Sequence, residues 1–159
     1  MVRILIIYYS RSGNTEKMAQ VVAEGARQVK GAVVETMKVA EATNEDLLAA
    51  DAIIVGSPTY YGSMSGNIKE FIDDSVKIHG KLEDKIGAAF ASSGGTASGA
   101  ETTLLSILHA MLVHGMIIQG RSDDKHYGPA AVGAPDSEAM ESCRRLGKKV
   151  AELAVKVNM

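Results

Sequence analysis

Short apolar runs alternate along the chain with longer segments in which apolar residues recur every three or four positions. The short runs have the length of β-strands, and the central ones are apolar at consecutive positions. That pattern is typical of strands buried on both faces of a parallel sheet. The second run is more polar, which indicates an edge strand. The predicted strands are Val2–Tyr9, Ala32–Val39, Ala52–Gly56, Ile86–Ala91 and Met116–Ile118.

In the segments between these runs, apolar residues recur every three or four positions, which is the spacing of an amphipathic helix. A helix is predicted from Asn14 to Val29, a short one at Leu47 and Leu48, and two more over Ile68–Val76 and Ala100–Val113. Pro135 and Asp136 begin the last helix. Strands that alternate with helices predict a doubly wound α/β fold, with a parallel sheet covered by helices on both faces. Ligands of such sheets bind at the carboxyl ends of the strands.

The composition narrows the class of protein further. The 159 residues, 46% of them hydrophobic, suit one domain spanning residues 1–159. A net charge of -2 argues against nucleic-acid binding, which needs clustered Lys and Arg. No apolar run is long enough to span a membrane, and Ile4–Ile7 is too short for a signal segment. The single thiol, Cys143, cannot form an intramolecular disulfide, so a cytoplasmic location is expected.

The first predicted strand ends in a polar loop that contains one glycine. The loop opens a helix, whose free N–H groups and dipole favour a phosphate. Taken alone, the same residues could serve only as a helix N-cap. A Walker-type loop is excluded because no Lys-Ser/Thr pair follows. The candidate phosphate-binding residues are Ser10, Arg11, Ser12, Gly13, Asn14 and Thr15.

The third predicted strand ends in a loop with two adjacent tyrosines. Their rings offer flat faces for stacking on an aromatic ligand, worth roughly 0.5–1.5 kcal/mol beyond area burial. The alternative for this loop alone is a tyrosine packed over the edge of the sheet. The candidate residues are Pro58, Thr59, Tyr60, Tyr61 and Gly62.

The fourth predicted strand ends in a loop rich in serine and glycine. Such a loop presents mainly backbone donors and acceptors, which suit the edge of a heterocycle, although a flexible connection has the same composition. The candidate residues are Ser92, Ser93, Gly94, Gly95, Thr96 and Ser98. The first loop thus suits a phosphate, the second suits the face of an aromatic ring, and the third suits the edge of such a ring. Together the three loops predict a non-covalent flavin mononucleotide (FMN) site.

Several motifs resemble a known family. Ser10–Thr15 resembles the phosphate loop of the flavodoxin superfamily, and Pro58–Gly66 resembles the Pro-Thr-aromatic-Gly loop of the WrbA-type NAD(P)H:quinone oxidoreductases. Glu101–Thr103, His114–Ile118 and Tyr127–Gly128 resemble that family as well. The resemblance implies a flavodoxin-like five-stranded sheet in the order 2-1-3-4-5. It also implies NAD(P)H as co-substrate, a quinone acceptor, and a homo-oligomer of two or four chains.

By this resemblance the chain is a shortened member of the WrbA-type family. The connection between the second and third strands and the segment after Gly120 are shorter than the family usually has. Ser12 stands where the family has a tyrosine implicated in nicotinamide binding, and the chain contains no tryptophan.

The family histidine that matches His114 lies beside the flavin, which makes His114 the candidate catalytic residue. It could donate a hydrogen bond to a reduced quinone or to the flavin edge. A histidine at a helix C-terminus, interacting with the helix dipole, is the alternative. His109 is five positions away, a spacing that does not bring two ligands onto one helical face, so no metal site is predicted.

Two functions share these loops, and the local charge favours one of them. Apart from two tyrosine phenols, no ionisable side chain occurs in 52–67, and none is charged in 86–100. A carboxylate about 6 Å from a flavin would oppose its anionic reduced form by ~3 kcal/mol, lowering the potential by roughly 100 mV. The absence of such groups favours a two-electron NAD(P)H:quinone reductase with ping-pong kinetics. The alternative is a flavodoxin-type one-electron carrier between protein partners.

Overall fold

Six strands form one sheet in which every neighbouring pair is parallel. The computed structural model describes residues 1–159. The strand order is β2-β1-β3-β4-β5, which confirms the flavodoxin-like order and the edge position of the second strand. The strands are β1 (Val2–Tyr8), β2 (Ala32–Lys38), β3 (Ala52–Pro58), β4 (Ile86–Ser93), β5 (Ile117–Ile118) and β6 (Ala130–Val132).

Helices cover both faces of the sheet, as predicted. They are α1 (Asn14–Arg27), α2 (Asn44–Ala49), α3 (Gly66–Asp74), α4 (Ala100–Val113) and α5 (Ser137–Val157), and a short 3-10 helix, Ser75–Ile78, follows α3. Asp136 caps α5, because its side chain accepts the N–H of Ala139 at 2.8 Å. None of the helices combines the length and apolarity that a membrane crossing requires.

The alternating side chains of the central strands build two separate cores. In β1, Ile4 and Ile6 point into the core shared with α1 and α5. Leu5 and Ile7 point into the opposite core, which α3 and α4 complete. Successive side chains of a strand point to opposite faces, so a consecutive apolar run fills both cores at once.

The fifth strand position is split in two, which the sequence analysis did not predict. β5 pairs with Ile86 and Gly87 at the start of β4, and β6 pairs with Ala91–Ser93 at its end. Residues 119–129 leave the sheet between them. The expected five strands are therefore six, because a three-residue run at 130–132 is too short to give a periodic signal.

Two of the three strands that lead to the candidate site, β3 and β4, are longer than predicted, whereas β1 ends one residue earlier than predicted, at Tyr8. β3 continues through Pro58 and β4 through Ser93, where loops were expected to begin two residues earlier. The register pairs Ser57 with Ala91 and Pro58 with Ser92. Mutual hydrogen bonding in the sheet therefore overrides the local preference of serine and proline for loops.

Two glycines let α1 and α5 pack backbone against backbone. A Cβ at Gly25 would lie 1.9 Å from the carbonyl oxygen of Arg144, and one at Gly147 would lie 1.9 Å from that of Val22. No rotamer change can relieve a clash with main-chain atoms. The distance between these helices therefore depends on glycine at both positions.

Replacing Gly147 by Ala is expected to lower the free energy of unfolding by about 2 kcal/mol or more, since α5 must move away from α1. Gly66→Ala is the matched control, because it adds the same methyl group to a helix where nothing lies within 4 Å. Urea denaturation of both variants measures the difference. Equal stabilities for the two variants would contradict the close packing.

Candidate functional site

The three predicted loops meet at one edge of the sheet and enclose an open cleft of about 270 Å³. The cleft lies at the carboxyl ends of β1, β3 and β4, as expected for a parallel sheet. Residues of all three loops line it, together with one glycine from a fourth segment. The lining residues are Arg11, Ser12, Asn14, Thr15, Pro58, Thr59, Tyr60, Ser92, Ser93, Gly94 and Gly133.

The first loop presents the amino end of α1 to the cleft. Gly13 precedes the helix with φ +96°, a left-handed conformation that favours glycine. The hydroxyl of Ser10 accepts the N–H groups of Gly13 and Glu16, each at 3.2 Å, and so shapes the loop from within. The N–H groups of Asn14 and Thr15 donate to no atom of the chain. Free donors at a helix amino end are suited to an anion.

Hydrogen bonds between the loops hold the cleft together. The hydroxyls of Thr15 and Ser92 are both buried and lie 2.8 Å apart, which joins the first loop to the end of β4. The N–H of Thr59 donates to the carbonyl of Ser92 at 2.7 Å. The N–H of Gly133 donates to the carbonyl of Ser93 at 2.8 Å. The end of β4 is therefore the centre to which the other segments are fixed.

The two tyrosines of the second loop point in different directions. Tyr60 lines the cleft, and its ring packs edge-on against Tyr9 at 6.4 Å between centroids. Tyr61 is fully exposed and has φ +51°, in a tight turn closed by two backbone hydrogen bonds between Tyr60 and Ser63. Only Tyr60 can therefore contact a ligand inside the cleft without a change of conformation.

One polar atom of the second loop is buried without a partner. The hydroxyl of Thr59, in the lining of the cleft, makes no hydrogen bond within the chain. A buried hydroxyl that lacks a partner costs free energy, so a ligand that bonds to it would be favoured.

The third loop contributes only its first residues. Ser92, Ser93 and Gly94 line the cleft, whereas Thr96 is exposed. Ser98 donates to the carbonyl of Gly95 at 2.6 Å and so stabilises the turn itself. The remaining predicted residues that lie outside the lining are Ser10, Gly13, Tyr61, Gly62 and Gly95.

The sequence analysis missed Gly133, which follows β6 and has φ +63°. Its signal in the sequence was the Gly-Ala-Pro turn ahead of the last helix. That turn could be placed at the cleft only once β6 was known to pair with the end of β4.

The structure does not bring His114 to the cleft. It follows the last residue of α4, and the fourteen residues of that helix separate it from the loops by roughly 20 Å. His114 instead lines an apolar cavity of about 40 Å³ at the opposite end of the sheet. Its Nε2 lies 2.7 Å from the hydroxyl of Ser75, which itself donates to the carbonyl of Ile72 at 2.5 Å. The imidazole Nε2–H is therefore the donor to Ser75.

The other ring nitrogen, Nδ1, is buried and makes no hydrogen bond. Burial lowers the pKa of His114 below 6.5, and the nearby ring of His79, 5.8 Å away between centroids, lowers it further. Both effects favour the neutral form of His114 in the folded chain.

The cleft is poor in charge. Arg11 is the one charged residue of its lining, and no carboxylate belongs to it. Glu16 is outside the lining of the cleft, and its carboxylate accepts a hydrogen bond from the hydroxyl of Tyr8 at 2.8 Å. Burial and that hydrogen bond raise the pKa of Tyr8 to about 12, so the phenol stays protonated.

Comparison with known proteins identifies the family and the fold. A family model described as the flavodoxin domain matches residues 5–118. The chain belongs to the flavodoxin family. Membership implies a flavin-binding protein, in agreement with the three predicted loops.

Relatives of this flavodoxin-family chain carry two names. A flavodoxin of Aquifex aeolicus is 44% identical over 96% of this chain and 86% of its own length. An NAD(P)H dehydrogenase (quinone) of Archaeoglobus fulgidus is 38% identical over 99% of this chain and all of its own length. A solved structure of a WrbA-like flavodoxin from Agrobacterium tumefaciens superposes with a TM-score of 0.81 at 29% identity, over 98% and 99% of the two chains. The predicted resemblance to the WrbA-type proteins is confirmed.

The low pKa of His114 makes stability depend on pH in a defined direction. The unfolded chain binds a proton near pH 6.5 that the folded chain resists, so stability falls as the pH drops below about 6.5. His114→Gln keeps a donor for Ser75 and does not titrate, so its stability should fall less between neutral pH and about pH 5. The control is His109→Gln, which changes an exposed histidine of the same helix. Chemical denaturation at both pH values measures the free energy of unfolding of each protein. An equal loss of stability in wild type and His114→Gln between the two pH values would contradict the interpretation.

Proposed function

We propose that the chain binds FMN non-covalently in the cleft and reduces quinones with electrons from NAD(P)H. The observation that carries the proposal is the pairing of an anion-binding helix end with a cleft lining that contains no carboxylate. The first feature suits the phosphate of FMN, and the second suits a flavin whose reduced form is not electrostatically opposed.

The residues of the cleft fit the parts of FMN. The free N–H groups of Asn14 and Thr15 and the side chains of Arg11 and Ser12 would hold the phosphate. Tyr60 would lie against the ring system. The unpartnered hydroxyl of Thr59 would bond to a polar atom of the ligand.

When bound, FMN supplies the two-electron chemistry that connects a nicotinamide to a quinone. The contribution of the chain is to position that group. The hydrogen bond between the hydroxyls of Thr15 and Ser92 would fix the part of the cleft that holds the phosphate relative to the part that holds the ring. The tight Tyr60–Ser63 turn keeps the second loop in place. No side chain of the lining need act as a nucleophile.

A one-electron carrier is the second candidate, because a relative named flavodoxin is 44% identical to this chain. The absence of carboxylates from the lining of the cleft favours the reductase over the carrier, since low-potential carriers use nearby carboxylates to oppose reduction.

The proposal includes a homo-oligomer in which His114 acts on a neighbouring chain. His114 lies at the far end of α4 from its own cleft, so the flavin that it acts on would be one held by another copy. To reach that flavin, its imidazole would have to exchange the hydrogen bond with Ser75 for one to the ligand. The outer face of α4 exposes Leu112 and Val113 beside that end, an apolar surface suited to contact between copies. A catalytic role for His114 therefore requires the oligomer, and the two are proposed together.

Ser12→Ala and Thr15→Ala are each expected to weaken FMN affinity by about ten-fold or more. The first removes a hydroxyl from the lining of the cleft, and the second removes the hydrogen bond to Ser92 that holds the first loop against the end of β4. Titration of the apoprotein with FMN, followed by flavin fluorescence, measures the affinity. Ser122→Ala is the control, since Ser122 is exposed and lies outside the cleft. Unchanged binding in both variants would mean that the phosphate lies elsewhere.

The reductase is tested by NAD(P)H oxidation with benzoquinone as acceptor. Activity should require bound FMN, and initial rates should give the parallel double-reciprocal lines of a ping-pong mechanism. If NAD(P)H fails to reduce the flavin while a reduced ferredoxin succeeds, the result would support the one-electron carrier instead of the reductase. Light scattering of the FMN-loaded protein should show an oligomer, and a monomer with full activity would exclude a role for His114.

A further inference from the structure

Two histidines lie side by side away from the cleft of the three loops. His79 follows the short 3-10 helix, His114 follows α4, and their ring centroids are 5.8 Å apart. The spacing of His109 and His114 along the chain predicts no metal site, but the fold brings a different histidine to His114. Imidazoles are ligands that Zn²⁺, Cu²⁺ and Ni²⁺ prefer, so the pair is a candidate metal site.

The hydrogen bonds of His114 leave one ring nitrogen with a free lone pair. Ser75 is only 2% exposed, and its hydroxyl donates to the carbonyl of Ile72. Its oxygen therefore accepts the Nε2–H of His114, and Nδ1 is the nitrogen without a proton. Metal-binding histidines are usually held in this way, because an outer partner of the second ring nitrogen fixes the tautomer and the orientation of the ring.

This free nitrogen is also buried. Nδ1 of His114 makes no hydrogen bond within the chain, a state that costs free energy. A buried water does not suit the place well, since such a water usually makes about three hydrogen bonds. The cavity beside His114 is lined by thirteen residues, eleven of them hydrophobic, and Ser75 is the one other polar residue. A ligand that needs fewer hydrogen bonds than water is therefore favoured.

His79 is able to supply the second nitrogen. Its side chain is exposed, and of the four histidines only His114 and His126 make hydrogen bonds through their rings. Zinc–nitrogen bonds are about 2.0–2.1 Å long. With each nitrogen about 1.1 Å from its ring centre, two imidazoles on one ion have centroids roughly 5–6 Å apart. The observed 5.8 Å lies in that range.

The chain offers two ligands and no more. No set of three His, Cys, Asp or Glu side chains is close enough to hold a metal ion. Water would therefore complete the coordination, as it does in zinc sites that keep open positions. With only two ligands from the chain, we expect a dissociation constant on the order of 10–100 µM. Mg²⁺ and Ca²⁺ are not expected, because they prefer oxygen ligands.

We propose that His79 and His114 bind one Zn²⁺ ion, through Nδ1 of His114 and a ring nitrogen of His79. The ion would join the turn after the 3-10 helix to the end of α4 and give Nδ1 the partner that it lacks. Neither histidine lines the cleft between the three loops, so the proposal is independent of FMN binding. Because the bound imidazole stays on Ser75, zinc binding and contact with the flavin of a neighbouring chain exclude each other.

The test is calorimetric titration of the purified protein with ZnCl₂, in a buffer that does not chelate metals, with and without FMN. The wild type should bind one ion per chain. His79→Gln should weaken binding by about ten-fold or more, and it alters an exposed side chain, so folding should be unaffected. His114→Gln should weaken binding as much. His109→Gln is the matched control, because it removes an exposed histidine of α4, and it should change the affinity by less than about two-fold.

Two further measurements identify the binding atom and its effect. In nuclear magnetic resonance spectra of the imidazole nitrogens, zinc should shift Nδ1 of His114 and leave the Nε2–H in place. Zinc should also raise the melting temperature of the wild type but not that of His79→Gln, since an ion bound only to the folded chain stabilises it.

The proposal would be overturned by the absence of saturable zinc binding below about 1 mM. An equal loss of affinity in His79→Gln and His109→Gln, or a shift of Nε2 instead of Nδ1, would overturn it as well. If FMN fails to bind while zinc binding still depends on His79, the metal site is supported and only the proposed FMN function is overturned.

Discussion

The architecture depends on burying the central strands on both faces. Strands such as β1 and β3 present apolar side chains in both directions, so neither face can remain in water. Helices must then cover both sides, and each crossover returns the chain to the same starting edge. As a result the segments after β1, β3 and β4 all emerge at one edge. The cleft between the three loops is a consequence of this constraint, because segments far apart in sequence are brought to the same edge of the sheet.

Short hydrogen bonds at the end of β4 turn that meeting of loops into a site of defined shape. Ser92 bonds to both Thr15 and Thr59, and Ser93 bonds to Gly133. Small polar residues at these positions let three segments approach closely, and of the buried side-chain polar groups of these loops only the hydroxyl of Thr59 is left without a partner. The free donors of the cleft are then those at the start of α1. Polar groups used between the loops are thereby separated from those available to a ligand.

The cleft between the three loops has no carboxylate in its lining, and this supports the proposed two-electron reduction, because low-potential carriers use nearby negative charge. The split of the fifth strand position places Gly133 in the lining of this cleft and leaves residues 119–129 outside the sheet, beside α5.

Patterns within short stretches of the chain were enough to predict most of the fold. Apolar runs and helical spacing located five strands and all five helices, because burial of consecutive apolar residues leaves few other arrangements. The glycine of the first loop and the paired tyrosines of the second indicated a flavin site for the same local reason. Boundaries were less accurate. Ser57 and Ser92 belong to strands because their partners across the sheet, which are distant in sequence, supply the hydrogen bonds.

Tertiary structure alone decided the features that depend on pairing between distant segments. β6 has only three residues, and its place beside β4 follows from hydrogen bonds that no local pattern encodes. The separation of Tyr60 from Tyr61 depends on the turn that Ser63 closes, and the distance of His114 from the cleft depends on the direction of α4. The amino-acid sequence by itself thus determined which loops carry the polar and aromatic residues from which a flavin site is predicted. The tertiary structure decided which of their side chains face the cleft, because that choice is made by contacts between loops and not within them.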